Sequence, residues 1–536
     1  MKKAVAHFAI LLLTSVTLLS AEATRPVRPN ILFFLADDWG RNASCYRDPA
    51  RPSVNDVIET PNIDRVAREG VLFRNAFMGV SSCTPSRASM ALGCYFWRCD
   101  KAAFHQPDPG WEINNTPNPG DALPSFGALL QKAGYATSFS GKALKLDKDI
   151  SPSFPLGGDS LRFSLYAKKN RLGRDETAKV FEQAVRDVLK KVLSKRKPGQ
   201  PFCHVLGPVG PHRPFAPGSG RKLWGIDPDA LKGRMPAFLP EVPEAREDYA
   251  DTLGEALALD LEVGVILDEL QKAGELDNTM LVLTGDNGVN MPRGKTHCYD
   301  IAVRAPLMIR WPAGIAKPGR VVDDFVGQID LAPTWLEAAG LTPPAAMDGR
   351  SLLPLLKSDK SGVIDPARDH AIVGRERHEA DTRPDLMPYP MRAIRTADFL
   401  YVRNFKPDRW PCGDPYSDKG PRGDANPQGS GTVTWLVAHR DEPATKPLYD
   451  LAYAKRAGEE LYDLKNDPDQ MHNLAAESAV DGVRAKLSAR LMAVLEKTND
   501  PRLTDAFDKP PYVNPASADM PKTKGRKGAK AGNEAE

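Results

Sequence analysis

Short runs of consecutive apolar residues are the strongest pattern in the first two thirds of the chain. Two of them cover 31–35 and 280–284, and a looser run covers 202–206. Continuous runs of this length are typical of strands that are covered on both faces of a parallel sheet. The first two runs end in Asp37-Asp38 and Asp286-Asn287, and the looser run leads into Pro211-His212, so the sequence predicts strands whose carboxyl ends carry polar side chains.

Longer stretches with helical spacing of apolar residues lie between these runs. They cover about 122–133, 176–194 and 246–273, and the last of them stops at Gly274, a residue type that commonly ends helices. Strand and helix therefore alternate, which predicts an α/β fold with a mainly parallel central sheet flanked by helices. In such folds the polar residues at strand carboxyl ends gather along one edge and build the site.

The character of the sequence changes near residue 365, where Asp, Pro and Lys become frequent. Short β-like runs follow at 371–373 and 399–402, and a helical stretch covers 482–496. These features predict a smaller C-terminal α+β domain with an antiparallel sheet at 366–510. Residues 511–536 are basic and have almost no apolar content, which predicts a disordered tail.

The first 23 residues have the layout of a secretory signal peptide. Lys2 and Lys3 precede an apolar run that ends near Leu19, and small residues follow up to Ala23. This run is shorter than the roughly 20 apolar residues that a membrane-spanning helix needs. We therefore expect an exported protein, periplasmic, extracellular or lumenal, with its large domain at 24–365 and no stable membrane insertion. The net charge of +3 is too small to indicate a nucleic-acid partner.

The segment that begins at Cys83 has the composition of a reactive helix start. Pro85 and Ser86 stand where a first helical turn accepts them, and Arg87 follows. A cysteine at a helix N-terminus beside a guanidinium lies in a positive field, which favours a thiolate or a bound oxyanion. A buried cysteine at an ordinary helix start is the alternative. Cys94 and Cys99 are expected on one helix, which argues against a disulfide between them.

Two pairs of oxygen-bearing side chains follow two of the apolar runs. Asp37 and Asp38 follow the run at 31–35, and Asp286 and Asn287 follow the run at 280–284. Adjacent carboxylates that leave a buried strand repel one another, and burial adds to this penalty unless a cation lies between them. Four oxygen ligands suit calcium or magnesium and argue against zinc. For either pair alone, a turn or a helix cap is the alternative.

Five motifs in this order resemble those of the type I sulfatases of the alkaline-phosphatase superfamily. They are 28–30 with the strand that ends in Asp37-Asp38; Cys83 to Gly93; Gly134-Tyr135 leading to Gly141-Lys142; Pro211-His212; and 277–279 with the strand that ends in Asp286-Asn287-Gly288. The resemblance extends from about residue 29 to about residue 505. It implies a large alkaline-phosphatase-like domain and hydrolysis of sulfate esters or sulfamates in sulfated polysaccharides or oligosaccharides.

The same resemblance implies two cofactors and a set of site residues. One cofactor would be Ca²⁺, with Mg²⁺ less favoured, and the other a formylglycine made from a cysteine by a formylglycine-generating enzyme. A hydrated aldehyde carries two hydroxyls, so one can attack sulfur and the other can later expel the sulfate. The metal ligands would be Asp37, Asp38, Asp286 and Asn287; the catalytic residues would be Cys83 as formylglycine, Arg87 stabilising it, and Lys142, His212 and Lys295 around the sulfate.

Within the family, several segments resemble the heparan sulfamidases. They include 81–83, 389–392 and 460–463. At Lys295 that group has an arginine, and the change to lysine keeps the charge but loses the bidentate fork. The sequence therefore leaves open whether the substrate is a sulfamate or a sulfate ester.

A second departure concerns the segment after Lys142. The family usually has a histidine two or three residues after this lysine, whereas Leu144 and Lys145 stand here. A proton donor to the formylglycine hydroxyl is therefore missing, or Lys145 or a distant histidine such as His105 replaces it. One alternative function is thus a catalytically impaired, carbohydrate-binding protein. Another is a phosphoester hydrolase of the same superfamily, which Cys83 argues against because those enzymes usually use Thr or Ser.

His378 and Glu379 are candidate substrate-binding residues in the second domain. They lie close to Arg375 and Arg377 in the sequence. Either they reach over the sulfate pocket and bind the sugar, or they belong to a surface cluster of salt bridges.

Overall fold

The structure is a computed structural model that describes residues 28–104, 123–142, 152–156, 162–378, 382–383, 386–418, 420–422 and 429–513. The expected signal peptide at 1–23 lies outside these residues. Within them, no helix has both the length and the apolar character needed to cross a bilayer. Tyr512 donates a hydrogen bond of 2.7 Å to Asp100, and Val513 is buried, so residues 511–513 pack against the rest of the chain. The other residues of the tail expected at 511–536 lie outside the described residues.

A mixed sheet forms the centre of the larger part of the chain. The first ten strands, in chain order, are β1 Asn30–Ala36, β2 Val71–Phe73, β3 Ala76–Phe77, β4 Ala136–Gly141, β5 Ser153–Phe154, β6 Phe202–Gly207, β7 Thr279–Gly285, β8 Leu307–Arg310, β9 Arg320–Val322 and β10 Val326–Gly327. Eight of them pair in the order β5-β4-β6-β1-β7-β8-β2-β9, while β3 pairs with β10. Only β8 runs antiparallel to its neighbours. The predicted mainly parallel sheet is confirmed.

Helices cover both faces of this sheet. In chain order they are α1 Pro61–Arg68, α2 Cys83–Leu92, α3 Phe126–Lys132, α4 Phe163–Asn170, α5 Arg174–Lys195, α6 Ser219–Trp224, α7 Pro243–Lys272, α8 Asp300–Val303, α9 Leu331–Ala338 and α10 Leu353–Lys357. Alternate residues of β1 point to opposite faces. Ile31, Phe33 and Leu35 pack with α2, α3, α9 and α10, whereas Leu32 and Phe34 pack with α1, α5 and α7. Both faces are apolar, which explains the continuous apolar run in β1.

The C-terminal part contains a separate antiparallel sheet. Its elements are β11 His370–Arg375, β12 Met391–Thr396, β13 Phe399–Asn404, α11 Gly431–Ala438, α12 Lys446–Tyr453, β14 Glu459–Asp463 and α13 Asp481–Lys497. The four strands pair in chain order, and α13 packs its leucines on one face of the sheet. The predicted antiparallel sheet and closing helix are therefore confirmed. The boundary near residue 365 stays a prediction.

The end of α2 differs from the expectation. The helix stops at Leu92 because Gly93 adopts a left-handed conformation with φ of 64°. Cys94 and Cys99 therefore do not share a helix, and their buried sulfurs lie 3.8 Å apart. The expectation of a shared helix is therefore wrong, and both residues are free cysteines in the structure.

Candidate active site

Four adjacent parallel strands deliver polar residues to one edge of the large sheet. Their spatial order is β4, β6, β1 and β7. The residues that follow these strands are Lys142 after β4, His212 in the loop after β6, Asp37 and Asp38 after β1, and Asp286 and Asn287 after β7. Because parallel strands end at the same edge, positions up to 249 residues apart in sequence meet there.

Three buried carboxylates at this edge each pair with a different cation. Lys142 Nζ lies 2.5 Å from Asp37, and Lys295 Nζ lies 2.9 Å from Asp38. Arg87 Nε donates to Asp286 at 2.8 Å. The three carboxylate side chains are at most 1% exposed, so each charge is compensated by a specific partner. The sequence predicted the members of this cluster but not its pairing.

The pairing sets the ionisation of the carboxylates. Burial alone would raise the pKa of Asp37, but Lys142, His212 and Arg87 outweigh it and hold this pKa well below its usual range. Burial raises the pKa of Asp286 to about 6, although Arg87 opposes the shift. Asp37 is therefore firmly ionised.

Cys83 begins α2 in contact with this cluster. Its Sγ lies 3.4 Å from Asp37 Oδ1 and 3.5 Å from Lys142 Nζ. Burial and the Asp37 carboxylate raise the pKa of the Cys83 thiol well above its usual value. The helix N-terminus and Arg87 therefore do not produce a thiolate, which was one of the two anions expected there. An unmodified thiol at this place is a poor nucleophile.

Arg87 leaves one donor without an acceptor. Its Nη1 donates to the backbone oxygen of Lys142, whereas its Nη2 is buried, forms no hydrogen bond and lies 3.6 Å from Asp37 Oδ1. An unpaired buried donor carries a free-energy penalty, and an added oxygen acceptor would relieve it. Arg87 can therefore donate a hydrogen bond to a further oxygen in the site.

His212 joins the cluster from the loop after β6. One of its ring nitrogens lies within 4.8 Å of a carboxylate oxygen of Asp37 and of Cys83 Sγ. Its Nδ1 is 2.6 Å from the Arg213 carbonyl oxygen. A carbonyl only accepts, so this contact assigns the hydrogen to Nδ1 and leaves Nε2 able to exchange a proton.

His378 reaches the start of α2 from the second sheet. Gly374 at the end of β11 donates to the Gly79 carbonyl oxygen at 2.9 Å, which lays the following residues along 80–82. His378 Nδ1 is 2.7 Å from Ser82 Oγ, and His378 is only 2% exposed. His378 is thus next to Cys83 and is not part of a surface cluster. Glu379 lies outside the described residues.

The site's donor set fits a hard divalent cation. Carboxylate oxygens of Asp37, Asp38 and Asp286 converge within 4.8 Å of one another and of Cys83 Sγ. The Asn287 amide nitrogen lies 2.8 Å from Asp38 and 2.6 Å from Asp286, so this side chain belongs to the same cluster. A set dominated by carboxylate and amide oxygens suits calcium or magnesium.

One charged neighbour of the site was missed by the sequence analysis. Arg162 Nε donates to the His212 carbonyl oxygen at 2.8 Å. No motif surrounds Arg162 in the sequence, so no local signal identified it. Leu144, Lys145 and His105, which bear on the missing family histidine, all lie outside the described residues.

Comparison with known proteins gives a consistent picture. A family model described as Sulfatase matches residues 29–341. N-sulphoglucosamine sulphohydrolase of Homo sapiens is 29% identical over 501 residues, which cover 88% of this chain and 91% of that protein.

Two solved structures share the fold. One is a protein in complex with its substrate D-glucosamine-2-N,6-O-disulfate, with a TM-score of 0.61, 21% identity and coverage of 88% of this chain and 98% of that chain. The other is the phosphonate monoester hydrolase of Agrobacterium radiobacter, with a TM-score of 0.58, 17% identity and coverage of 89% and 97%. The fold is therefore shared by proteins of different named activities, and the choice between reactions depends on the site.

Proposed function

The chain belongs to the sulfatase family, hydrolases of sulfuric esters or sulfamates, and from this premise we propose that it is an exported enzyme that removes sulfate groups from sulfated glycans. It would use a formylglycine made from Cys83 and a calcium ion held by Asp37, Asp38, Asp286 and Asn287. The observation that carries the proposal is the position of Cys83. This residue begins α2 with its Sγ between Asp37 and Lys142, inside a cluster of three carboxylates and three cations.

The two cofactors would supply what the side chains lack. Calcium would supply a divalent positive charge that favours an ionised hydroxyl, and hydrated formylglycine would supply that hydroxyl as nucleophile. The neutral thiol of Cys83 supports this assignment, because a residue that attacks sulfur at neutral pH has to ionise more readily. Arg87 Nη2, the buried donor without an acceptor, would donate to an oxygen of residue 83.

The surrounding cations would handle the sulfate. Lys142 lies 3.5 Å from the Cys83 sulfur, so its ammonium can neutralise charge that builds on the sulfuryl oxygens. Lys295 would do the same from the Asp38 side. His212, with its hydrogen on Nδ1, would give or take a proton at the leaving oxygen or nitrogen through Nε2.

Glucosamine N-sulfate is the first substrate to test. The similarity to the human N-sulphoglucosamine sulphohydrolase extends over most of both chains. Lys295 departs from the sulfamidase pattern, so esters at the 2-O and 6-O positions belong in the same panel. His378 is proposed to hold Ser82, and through it the start of α2, while a direct contact of His378 and Glu379 with the sugar stays a prediction.

Sulfate release tests the proposal directly. The chain, produced together with a formylglycine-generating enzyme, is incubated with calcium and with N-, 2-O- or 6-O-sulfated saccharides, and free sulfate is measured by ion chromatography. Activity on at least one saccharide that disappears in Cys83→Ala supports the proposal. Equal release by Cys83→Ala, or release of phosphate from phosphoesters but of no sulfate, would contradict it.

A further inference from the structure

Arg162 is a cation at the edge of the active site that the proposed chemistry does not use. It is the residue before α4, and besides its bond to the His212 carbonyl its Nη2 lies 3.4 Å from His212 Nδ1. The side chain is half-buried. Because Nδ1 already donates to a carbonyl, it cannot accept from the guanidinium, and the Arg162 Nη groups keep hydrogen-bonding capacity.

The charge of Arg162 has little local compensation. Across the described ranges, Arg162 takes part in no ion pair. Glu255 is an acidic neighbour, but its two carboxylate oxygens accept the backbone N–H groups of Phe163 at 3.1 Å and Ser164 at 2.9 Å. Burial lowers the pKa of Arg162, although Asp37 and Glu255 oppose the shift. An anion beside this guanidinium would stabilise its charged form.

Arg162 lies on the open side of the site. The Lys142 side chain is 31% exposed, whereas that of Lys295 is 1% exposed. Both His212 and Arg162 are half-buried. The exposed side of the site is therefore formed by Lys142 and His212, next to Arg162.

Counting charges shows that the site can accept a second anion. Three carboxylates are matched by three cations in the inner cluster. A divalent ion adds two positive charges, and one sulfate ester or sulfamate group adds one negative charge. The ionised hydroxyl proposed at residue 83 offsets the remaining positive charge, and Arg162 adds one more, so the loaded site still attracts anions.

Resting on the proposed function, we propose that Arg162 binds a second anionic group of the substrate, either a further sulfate or a carboxylate on the same or the next sugar. Both groups present paired oxygens, and a guanidinium binds such groups with two parallel hydrogen bonds. Arg162 thereby selects saccharides that carry more charge than the sulfate being removed.

The test compares three saccharides of matched size. One carries only the scissile sulfate, one carries a second sulfate, and one carries an adjacent uronate. In Arg162→Ala, kcat/KM is expected to fall at least about tenfold for a saccharide with the second anion that Arg162 binds, and less than about threefold for the singly charged one. The arm that shows the larger loss identifies the anion. Arg162→Lys keeps the charge but cannot form the two parallel hydrogen bonds, so its kcat/KM is expected to lie between those of the unsubstituted chain and of Arg162→Ala.

Matched variants make the result specific. Lys169→Ala removes an exposed positive charge from α4 and is expected to leave all three rates unchanged. Thermal melting checks folding. Where Arg162→Ala does not fold, the three saccharides are compared with Arg162→Lys instead. An equal loss on all three saccharides would show that Arg162 acts only through His212 and would overturn the proposal, as would no loss on any.

A failure of the proposed function gives a different result. In that case the unsubstituted chain releases sulfate from none of the saccharides. The comparison is then made by calorimetry, with the three saccharides titrated into the Cys83→Ala protein and into Cys83→Ala combined with Arg162→Ala. A preference for the second anion that depends on Arg162 supports the inference, and equal affinities overturn it.

Discussion

Lys295 Nζ lies 2.9 Å from Asp38 Oδ1, and neither side chain is more than 1% exposed. Removing one partner of such a deeply buried pair leaves the other charge uncompensated. The pair therefore links a cation assigned to the sulfate directly to a residue assigned to the metal.

Two changes at Lys295 should separate its effect on the rate of sulfate release from its effect on the choice between sulfamate and sulfate ester. Lys295→Ala is expected to lower kcat for sulfate release about 10²–10³-fold, because a cation that stabilises charge in the transition state is lost. Lys295→Arg keeps the charge and introduces the arginine that the sulfamidases have at this position. The ratio of sulfamate to sulfate-ester hydrolysis should therefore rise. Steady-state kinetics on one sulfamate and one sulfate ester measures both effects. An unchanged ratio in Lys295→Arg would remove position 295 from the specificity argument.

Conversion of Cys83 can be measured without any substrate. Peptide mass spectrometry of the chain made with a formylglycine-generating enzyme is expected to show the aldehyde mass at Cys83, whereas Cys94 and Cys99 keep their cysteine masses. The same protein made without that enzyme serves as the control. A thiol at position 83 under both conditions would contradict a formylglycine mechanism.

Calcium should stabilise the fold. The buried carboxylates of Asp37, Asp38 and Asp286 share one cluster, so a bound cation reduces their repulsion. Calcium at a hundredfold excess over its Kd is expected to add about 2.7 kcal/mol to the free energy of unfolding. Thermal melts with calcium, with magnesium and with a chelator measure this shift. Asp38→Asn should reduce it, and an identical melting temperature under all three conditions would argue against a metal site.

A buried carboxyl on α7 gives a pH dependence of stability. Glu262 is 5% exposed, one of its oxygens has no partner, and burial together with Glu255 raises its pKa to about 8. The folded chain therefore holds a proton that the unfolded chain releases near pH 4.5. The contribution of Glu262 to the free energy of unfolding is therefore present at low pH and is lost as the pH rises to about 8. Glu262→Gln should remove that loss. Relative to the unsubstituted chain, its free energy of unfolding should be higher at pH 8 than at pH 5 by on the order of 2 kcal/mol.

Denaturant unfolding at both pH values measures the Glu262 effect. Asp268→Asn is the matched control, because Asp268 is exposed on the same helix, and it is expected to change stability equally at pH 5 and pH 8. A Glu262→Gln protein with the pH dependence of the unsubstituted chain would show that the carboxyl is not held protonated.

His378 should act through Ser82. Because His378 is 2% exposed and 2.7 Å from Ser82 Oγ, His378→Ala is expected to displace the start of α2 and lower kcat about ten- to hundredfold with little change in KM. Steady-state kinetics separates the two constants. A raised KM with an unchanged kcat would instead favour direct contact with the sugar.

Much of the fold follows from local patterns. The apolar runs at 31–35 and 280–284 became β1 and β7, because a strand covered on both faces has to be apolar along its whole length. The long helices near 176–194 and 246–273 were also predicted, since their spacing is strongly periodic. Helix α3 begins at Phe126, four residues later than expected, because the Ser125 side chain caps it at the Ala128 N–H.

The sequence by itself determined the site's composition. Aspartates after two buried strands and a cysteine at a helix start are local features, and each indicates its chemistry through neighbours a few residues away. Resemblance to a family added Lys142 and Lys295, which no local pattern would have selected, and gave a role to His212, which follows the looser apolar run.

Only the tertiary structure decided how these residues are paired and what surrounds them. Neighbouring strands in the sheet need not be neighbours in sequence, so the contacts of Asp37 with Lys142, of Asp38 with Lys295 and of Asp286 with Arg87 could not be read from spacing. The high pKa of the Cys83 thiol likewise arises from burial and from a carboxylate 46 positions away. Electrostatic effects act through space, and the chain reaches those distances only by folding.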